Sequence, residues 1–466
     1  MKNKELIQYL KNLLQDDFKS FLDASPEPKS IRINTLKTDT EYMKQLLDRA
    51  GVSYSNVSFH ENGLIIHGDS LPLSHTLSFF KGDIQYQGIS SQLPVILLDV
   101  KEGQRVLDMC AAPGSKSAQL TAAMNNSGEL ILNDISHTRL QALNVNMQRS
   151  GATNFYIMKN RGEEIGSYLY QYFDKVLVDV PCTALGTLSS HPEVAKWWSN
   201  DKLKKISLIQ YQLVVSALKA LKTGGELVYS TCSIAPEENE QVIRKILDNY
   251  PVELVQPPAV LQGMFSSAVK NNDYSFELDK AIRIWPHRHK LEGFFAVKLR
   301  KTDSIRRQDK NREPEFIEIK DSSDILVRMI LENISNNWGI PFKEWDKYRF
   351  NVTKTRIWMV NKDIKKCLTQ SFVSAGILLA ESRLLFWKLV NGSVQRFADK
   401  INKRKIELSD EQIYNLFSKG YIAYKEFPGG YYALCRKGEP VASVYIHQNE
   451  LKIHLPHKFR LVFLEK

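Results

Sequence analysis

Two cysteines stand where short apolar runs end. DKVLVDVPC (174–182) closes on Asp179 and Cys182, and GELVYSTC (225–232) closes on Ser230 and Cys232. A thiolate is a strong nucleophile, and a neighbouring carboxylate can orient a substrate or handle its proton. A third run, RVLDM (105–109), leads into Cys110, Ala111, Ala112, Pro113, Gly114, Ser115 and Lys116. Small residues and a glycine there let backbone approach a ligand closely at a helix start. A fourth, ELILND (129–134), ends in Asp134, twenty positions beyond Gly114. Nucleotide-binding folds place at that distance an acid that accepts hydrogen bonds from ribose hydroxyls. Each feature has a plain structural explanation when taken alone. A free cysteine is usually a small buried hydrophobe. Asp134 could cap the next helix, Asp179 could cap a loop, and Lys116 could be a solvated lysine. Recurrence at successive strand ends makes a shared cleft the better explanation.

Such a cleft needs a scaffold that brings strand ends together. Between residues 86 and 300 the pattern alternates short strands with longer helices. Strands are expected at 105–109, 129–134, 154–158, 174–180 and 225–230, with helices at 115–124, 136–149 and about 200–221. GFFAVKL (293–299) reads as an edge strand. The alternation predicts an α/β, doubly wound, Rossmann-like parallel sheet, which binds ligands beyond the carboxyl ends of its strands. The glycine loop lacks GxGxxG and GxxxxGK[ST], and GxSxG is absent, which disfavours nicotinamide enzymes, P-loop nucleotidases and serine hydrolases. A nucleoside cofactor without a phosphate requirement fits better, and S-adenosyl-L-methionine is the candidate.

The 466 residues imply about three domains. A content of 43% hydrophobic and 25% charged residues is that of a globular chain, and the formal charge of +11 favours a polyanionic partner. The 5 cysteines show no CxxC spacing, so no metal site is expected, and free thiols suit a reducing, cytoplasmic setting. The chain has no apolar run of the ~18 residues a membrane span needs, so no membrane partner is expected. The start, MKNKELIQYLKNLLQDDF, reads as an amphipathic helix. Segment 1–85 is expected to be an N-terminal α+β extension, 86–300 the doubly wound domain, 301–315 a charged linker, and 316–466 a mostly β region. Lys29, Arg32, Lys37, Arg283, Arg288 and Lys290 are candidate polyanion contacts, as are Arg396, Lys400, Lys403, Arg404 and Lys405. The pair Trp197-Trp198 reads as packing in preference to base stacking.

VLDMCAAPGSKSAQL, LNDIS, VLVDVPCTALG and YSTCSIAPEENE resemble the successive motifs of the NOP/Sun family of RNA cytosine-5 methyltransferases. RINTLK, HRHKLEGFFAVKLRK and the chain length resemble the bacterial RsmF-type members, which modify small-subunit (16S) ribosomal RNA and carry a C-terminal PUA-like module. The resemblance implies that Cys110 to Lys116 cradle S-adenosyl-L-methionine, that Asp134 holds its ribose and that Asp179 lines the site. It assigns the nucleophile to Cys232 and a part in product release to Cys182; the strand-end argument alone does not choose between the two thiols. Arg161 is the position matched to an adenine-side contact, although the family often has Asp there. Ala184-Leu185-Gly186 departs from the Gly-Glu-Gly frequent after the Pro-Cys stretch. The expected partner is RNA, most simply 16S ribosomal RNA or the small subunit, with the chain acting as a monomer. The same chemistry on tRNA, or a ribosome-assembly factor without activity, are the rival readings.

Overall fold

The computed structural model describes residues 3–68, 72–269, 276–306, 314–369, 371–384 and 386–455. Its spine is a sheet of six main strands: β1 (Arg105–Asp108), β2 (Glu129–Asn133), β3 (Phe155–Met158), β4 (Phe173–Asp179), β5 (Leu221–Thr231) and β6 (Phe294–Lys301). Their order in space is β6-β5-β4-β1-β2-β3. The first five run parallel to their neighbours, and β6 is antiparallel to β5. The chain winds outward from β1 to β3, then returns to the other side of β1 at β4. That reversal opens a crevice at the carboxyl ends of β1 and β4.

The strands are apolar on both faces because helices cover both. Alternation along each strand sorts the residues: Leu107, Ile131, Val176 and Val178 enter one core, and Val106, Leu130, Leu132 and Leu177 the other. Helices α1 (Ile89–Leu98), α2 (Ser115–Ala123) and α3 (His137–Ser150) supply the second core. Helices α4 (Gly162–Tyr168), α5 (Asn200–Ala220) and α6 (Glu240–Asn249) supply the first. The expectation of an edge strand at 293–299 is corrected. Val252–Leu254 and Ile282–Ile284 both pair with the outer edge of β6, while Phe295, Val297 and Leu299 on one face and Phe294 and Ala296 on the other enter the two cores.

Before this sheet lies a four-stranded antiparallel one, ordered Ser53–Val57, His60–His67, Ser30–Ile33, Ile84–Tyr86. The first helix, Lys4–Leu14, is N-capped by Asn3 and buries Leu6, Leu10 and Leu14 at helical spacing. They pack on Leu185, Val194, Trp198 and Trp285, just past the Cys182 strand end.

The expected linker falls partly on residues 307–313, which lie outside the described residues. Beyond it are a four-stranded sheet with helix Ile325–Trp338 and a five-stranded sheet with helix Asp410–Lys419. The region is mostly strands, but one of them belongs elsewhere. Phe372–Ala375 pairs antiparallel with β3 and extends the central sheet, and Asn361 donates to the carbonyls of Asn126 and Gly128 (both 2.9 Å). Ile319, Val360, Ile364, Cys367 and Leu368 share the core under β1 to β5. Among the described residues no helix is long and apolar enough to cross a membrane.

Candidate active site

The cofactor half of the crevice is built from β1 and β2. Asp108, 1% exposed, accepts from Ser117 Oγ at 2.7 Å. Burial pushes its carboxyl up to about 7; the charges of Asp179 and Asp134 add to the rise, against Ser117 and Lys116. The loop Cys110–Lys116 is tied by the Ala111 amide to Asn133 O (2.8 Å) and by Asn146 Nδ2 to Pro113 O (2.8 Å). Gly114 has φ +108°, and a Cβ on it would lie 2.8 Å from Leu143 Cδ1. Thus the loop reaches its closest approach to α3 where only glycine fits without adjustment. Cys110 is partly buried, its thiol pushed well up by burial and the surrounding carboxylates, so it lines the loop as a neutral thiol.

Asp134 is 3% exposed. Its Oδ1 accepts from the Ser136 amide at 2.9 Å, so Ser136, not Asp134, caps α3. Its buried Oδ2 has no hydrogen bond among the described residues, although Arg139 Nη1 stands 3.3 Å away. An orphaned buried acceptor at the end of β2 is what a ribose hydroxyl would satisfy, so the residues present fit a nucleoside. Asn133 joins the strand ends: its Nδ2 donates to Met109 O (3.0 Å) and Asn160 O (3.1 Å), and its Oδ1 accepts from the Asn160 amide (2.9 Å). Arg161 is not brought into this group. Its side chain is 63% exposed and faces Glu163 and Glu164, each at 3.8 Å, because its backbone begins α4 while Asn160 turns inward.

The other half is built from β4 and β5, whose register pairs Asp179 with Ser230. Ser230 Oγ donates to Asp179 Oδ1 (2.7 Å), and Lys116 Nζ lies 2.8 Å from Asp179 Oδ2 and 2.9 Å from Ser91 Oγ. Lys116 is therefore no solvated lysine: it crosses from the cofactor loop to the β4 carboxylate. Burial works to lower its pKa, but Asp179, Cys232 and Asp108 outweigh that and raise it. Cys182 lies three residues past Asp179 and Cys232 two past the paired Ser230, and their Sγ atoms are 3.1 Å apart. The Cys182 thiol is pushed well up by its contact with Cys232, by burial and by the charge of Glu238.

Glu238 went unnoticed in the sequence and is fully buried. Its Oε1 accepts from the Thr183 amide (2.7 Å) and Gln210 Nε2 (3.0 Å); its Oε2 accepts from the hydroxyls of Thr183 and Ser233. One carboxylate thus clamps the residue after Cys182 to the residue after Cys232. Burial raises its pKa, against those hydrogen bonds. Asn239 accepts from Thr231 Oγ1 (2.7 Å) and donates to Ser233 O (2.9 Å). The signal available was an acidic run, Glu237-Glu238-Asn239-Glu240, six positions past the end of β5, where a surface helix start would also read as acidic. Asp108, Ser91, Thr183 and Gln210 carried no signal beyond polarity in apolar surroundings.

In the departure at 184–186, Leu185 is buried against the first helix, and Gly186 donates to Cys232 O (3.0 Å) and accepts from the Gly293 amide (2.8 Å). A Cβ on Gly186 would meet Gly293 O at 2.1 Å. Trp198 is buried against Tyr9, with ring centroids 4.8 Å apart, whereas Trp197 is 37% exposed under Lys202 Nζ, 3.7 Å from its ring centroid.

Several basic residues proposed as polyanion contacts are internal. Arg283 is fully buried against Glu240, Arg32 donates to Gln85 and Gln87, and Lys37 is spent on Lys81 O, Arg149 O and Gln395. Arg396 donates to Tyr348 and Gly151 O. Long basic side chains reach inward to backbone carbonyls as readily as outward, and a sequence does not distinguish the two. Lys29, Lys290, Lys403 and Lys405 are exposed, Arg288 pairs with Asp17, Lys400 pairs with Asp399, and Arg404 lies over Phe386.

A doubly wound sheet with this loop, this strand-end acid and a second polar half across the crevice defines a Rossmann-like methyltransferase. The family model described as 16S rRNA methyltransferase RsmB/F matches residues 95–300. The ribosomal RNA small subunit methyltransferase F of Shewanella piezotolerans is 31% identical over 457 residues, 96% of this chain and 93% of that one. The protein of that name from Escherichia coli O157:H7 is 31% identical over 407 residues, 85% and 82% of the two chains. A solved methyltransferase homologue from Pyrococcus horikoshii is 33% identical, with TM-score 0.58, covering 63% of this chain and 93% of its own. The chain belongs to the ribosomal RNA small subunit methyltransferase F family and is a methyltransferase. S-adenosylmethionine, the cofactor expected from the loop, agrees with that membership.

Proposed function

We propose that this methyltransferase moves the methyl group of S-adenosylmethionine to carbon 5 of a cytidine in small-subunit (16S) ribosomal RNA, through a bond between Cys232 Sγ and carbon 6 of the base. The observation that carries the reading is the pair of thiols, 3.1 Å apart, beside an Asp179 held on both oxygens. The names of the relatives, similar over most of the chain, supply the RNA.

Carbon 5 of cytosine is a poor nucleophile. Addition of the Cys232 thiolate to carbon 6 makes carbon 5 enamine-like, so it can accept the methyl group that the cofactor supplies. Asp179 accepts from the exocyclic amine of the base, while Ser230 and Lys116 fix its rotamer. Loop 110–116 seats the cofactor, and Asp134 Oδ2 takes a ribose hydroxyl. Afterwards the carbon 5 proton passes to water, its bonding electrons re-form the carbon 5–carbon 6 double bond, and the carbon–sulfur bond breaks to release Cys232 as a thiolate, the half of the cycle assigned to Cys182. Its high pKa keeps it a thiol when substrate arrives, so its S–H can hydrogen-bond the Cys232 thiolate. The target base must be unpaired or flipped out. Segments 1–85 and 316–466, the latter expected to be PUA-like, are assigned to RNA capture, leaving 86–300 for the chemistry.

The test is a denaturing gel with labelled RNA and labelled cofactor. Cys232→Ala is expected to show neither methylation nor adduct, and Cys182→Ala to accumulate a denaturant-resistant, methylated complex. An adduct from Cys232→Ala with none from Cys182→Ala reverses the roles. Bisulfite sequencing of 16S ribosomal RNA and tRNA, with and without the gene, decides the substrate.

A further inference from the structure

We propose that Arg32 forms the floor of a phosphate-binding site, away from the catalytic crevice, in the cavity between the N-terminal sheet and helices α1 and α2. Arg32 is 2% exposed. Its Nε donates to Gln87 Oε1 and its Nη2 to Gln85 Oε1, both at 2.8 Å and both to neutral amides. No carboxylate pairs with it among the described residues, and Nη1 makes no hydrogen bond there. Burial alone lowers its pKa, to about 10, with no acidic neighbour registering against that shift. A buried guanidinium without a counter-charge is costly, and buried charges are paired as a rule.

The space beside it supplies room for a partner. A cavity of about 360 Å³ is lined by Arg32, Thr35, His60, Asn62 and Gln119, with Glu61 and Asp99 also on its wall. Asn62 Oδ1 is taken by Thr40 (2.6 Å), which leaves its NH2 group as a donor. Glu61 and Asp99 are exposed, and Asp99 is paired with Lys101 (2.6 Å). The carboxyl ends of α1 and α2 also face this region, but a helix end offers only a partial charge, screened where solvent reaches it. A planar guanidinium with an amide and a hydroxyl donor beside it matches a phosphate oxygen set. The cavity lies at the end of α2 opposite Gly114, about 12 Å along a helix of this length. It is therefore separate from the cofactor loop.

The phosphate could be an RNA phosphodiester, which rests on the function proposed above, or a free phosphate monoester, which does not. The experiment compares full-length wild type with Arg32→Met. Melting is recorded in inorganic phosphate, in 5′-AMP and in chloride at matched ionic strength. Wild type is expected to gain melting temperature in phosphate or 5′-AMP over chloride if the source is a free monoester, and Arg32→Met is not. If the source is RNA, Arg32→Met lowers the slope of log affinity against log salt by about 0.7–0.9, one phosphate contact. Should Arg32→Met fail to fold, 15N spectra of the wild-type arginine side chains, titrated with phosphate and with short RNA, give the same answer through the Arg32 resonance. No phosphate-specific stabilisation, no change of salt slope and no Arg32 shift together overturn the proposal. None of these readouts requires methyl transfer, so a failure of the proposed activity would show separately.

Discussion

Removing the Glu238 carboxylate should loosen both cysteine loops at once. In Glu238→Ala the Thr183 amide loses its acceptor in a fully buried site. Gln210 keeps Pro181 O (2.9 Å), and the Thr183 and Ser233 hydroxyls keep each other (3.2 Å). One stranded backbone donor costs about 1–3 kcal/mol, and the cavity left by the four lost heavy atoms, Cγ, Cδ, Oε1 and Oε2, adds roughly 1–2 kcal/mol. Relief of a carboxylate that burial already disfavours returns part of this, so a net loss of about 2–4 kcal/mol is expected. Glu238→Gln keeps the shape and an acceptor for the Thr183 amide, and the two hydroxyls can turn to accept from the new NH2, so its loss should stay near 1 kcal/mol. Urea denaturation measures both. Methyl transfer, assayed well below the melting temperature, should fall at least about tenfold in Glu238→Ala and much less in Glu238→Gln, because 1.4 kcal/mol of misplacement is already tenfold. A Glu238→Ala protein within 0.5 kcal/mol of wild type (the scatter typical of surface changes) and with a wild-type rate would refute the clamp.

Three further outcomes are expected. With a folded-state pKa of about 7 against an ordinary 3.8, Asp108 favours folding in its protonated form. Its contribution, at most about 4 kcal/mol, is fully present below pH ~4 and is lost as pH rises through ~7. Asp108→Asn removes that dependence, so its urea midpoint relative to wild type should climb between pH 4 and 8; parallel profiles would count against it. Gly114→Ala forces a side chain into φ +108° and against Leu143, which should cost roughly 1–3 kcal/mol and weaken cofactor binding by calorimetry; unchanged affinity and stability would contradict the close approach. A chain ending near residue 305 loses the strand on β3 and leaves Ile319, Val360, Ile364 and Leu368 without their core. At ~1.5–3 kcal/mol per such side chain it should aggregate or melt far below wild type; a monomeric fragment with wild-type melting would show that the central sheet does not need this strand.

What could be read along the chain is what short-range pattern determines. The parallel strands at 105–109, 129–134, 154–158, 174–180 and 225–230 were legible because burial on both faces demands continuous apolar runs, and their ends locate the crevice. The strand-end residues Asp134, Asp179, Cys182 and Cys232 followed, since a doubly wound sheet gathers such positions whatever the loops do. Contacts made by long side chains or distant segments were not legible. Arg283 is buried against Glu240 and makes no RNA contact, and the bridge from Lys116 to Asp179 and the clamp made by Glu238 could not be read, all for one reason: a charged residue has the same local pattern whether its partner is water or a group far along the chain. Arg161 and Asn160 show the same limit, one backbone turn deciding which side chain faces the strand ends. Phe372–Ala375, read as part of a separate region, pairs with β3 because an open sheet edge accepts any strand the tertiary fold carries to it. The sequence by itself determined the sheet and which residues border its cleft; only the tertiary structure decided which charges are neutralised, by whom, and where the sheet ends, because those depend on contacts between segments that no local periodicity records.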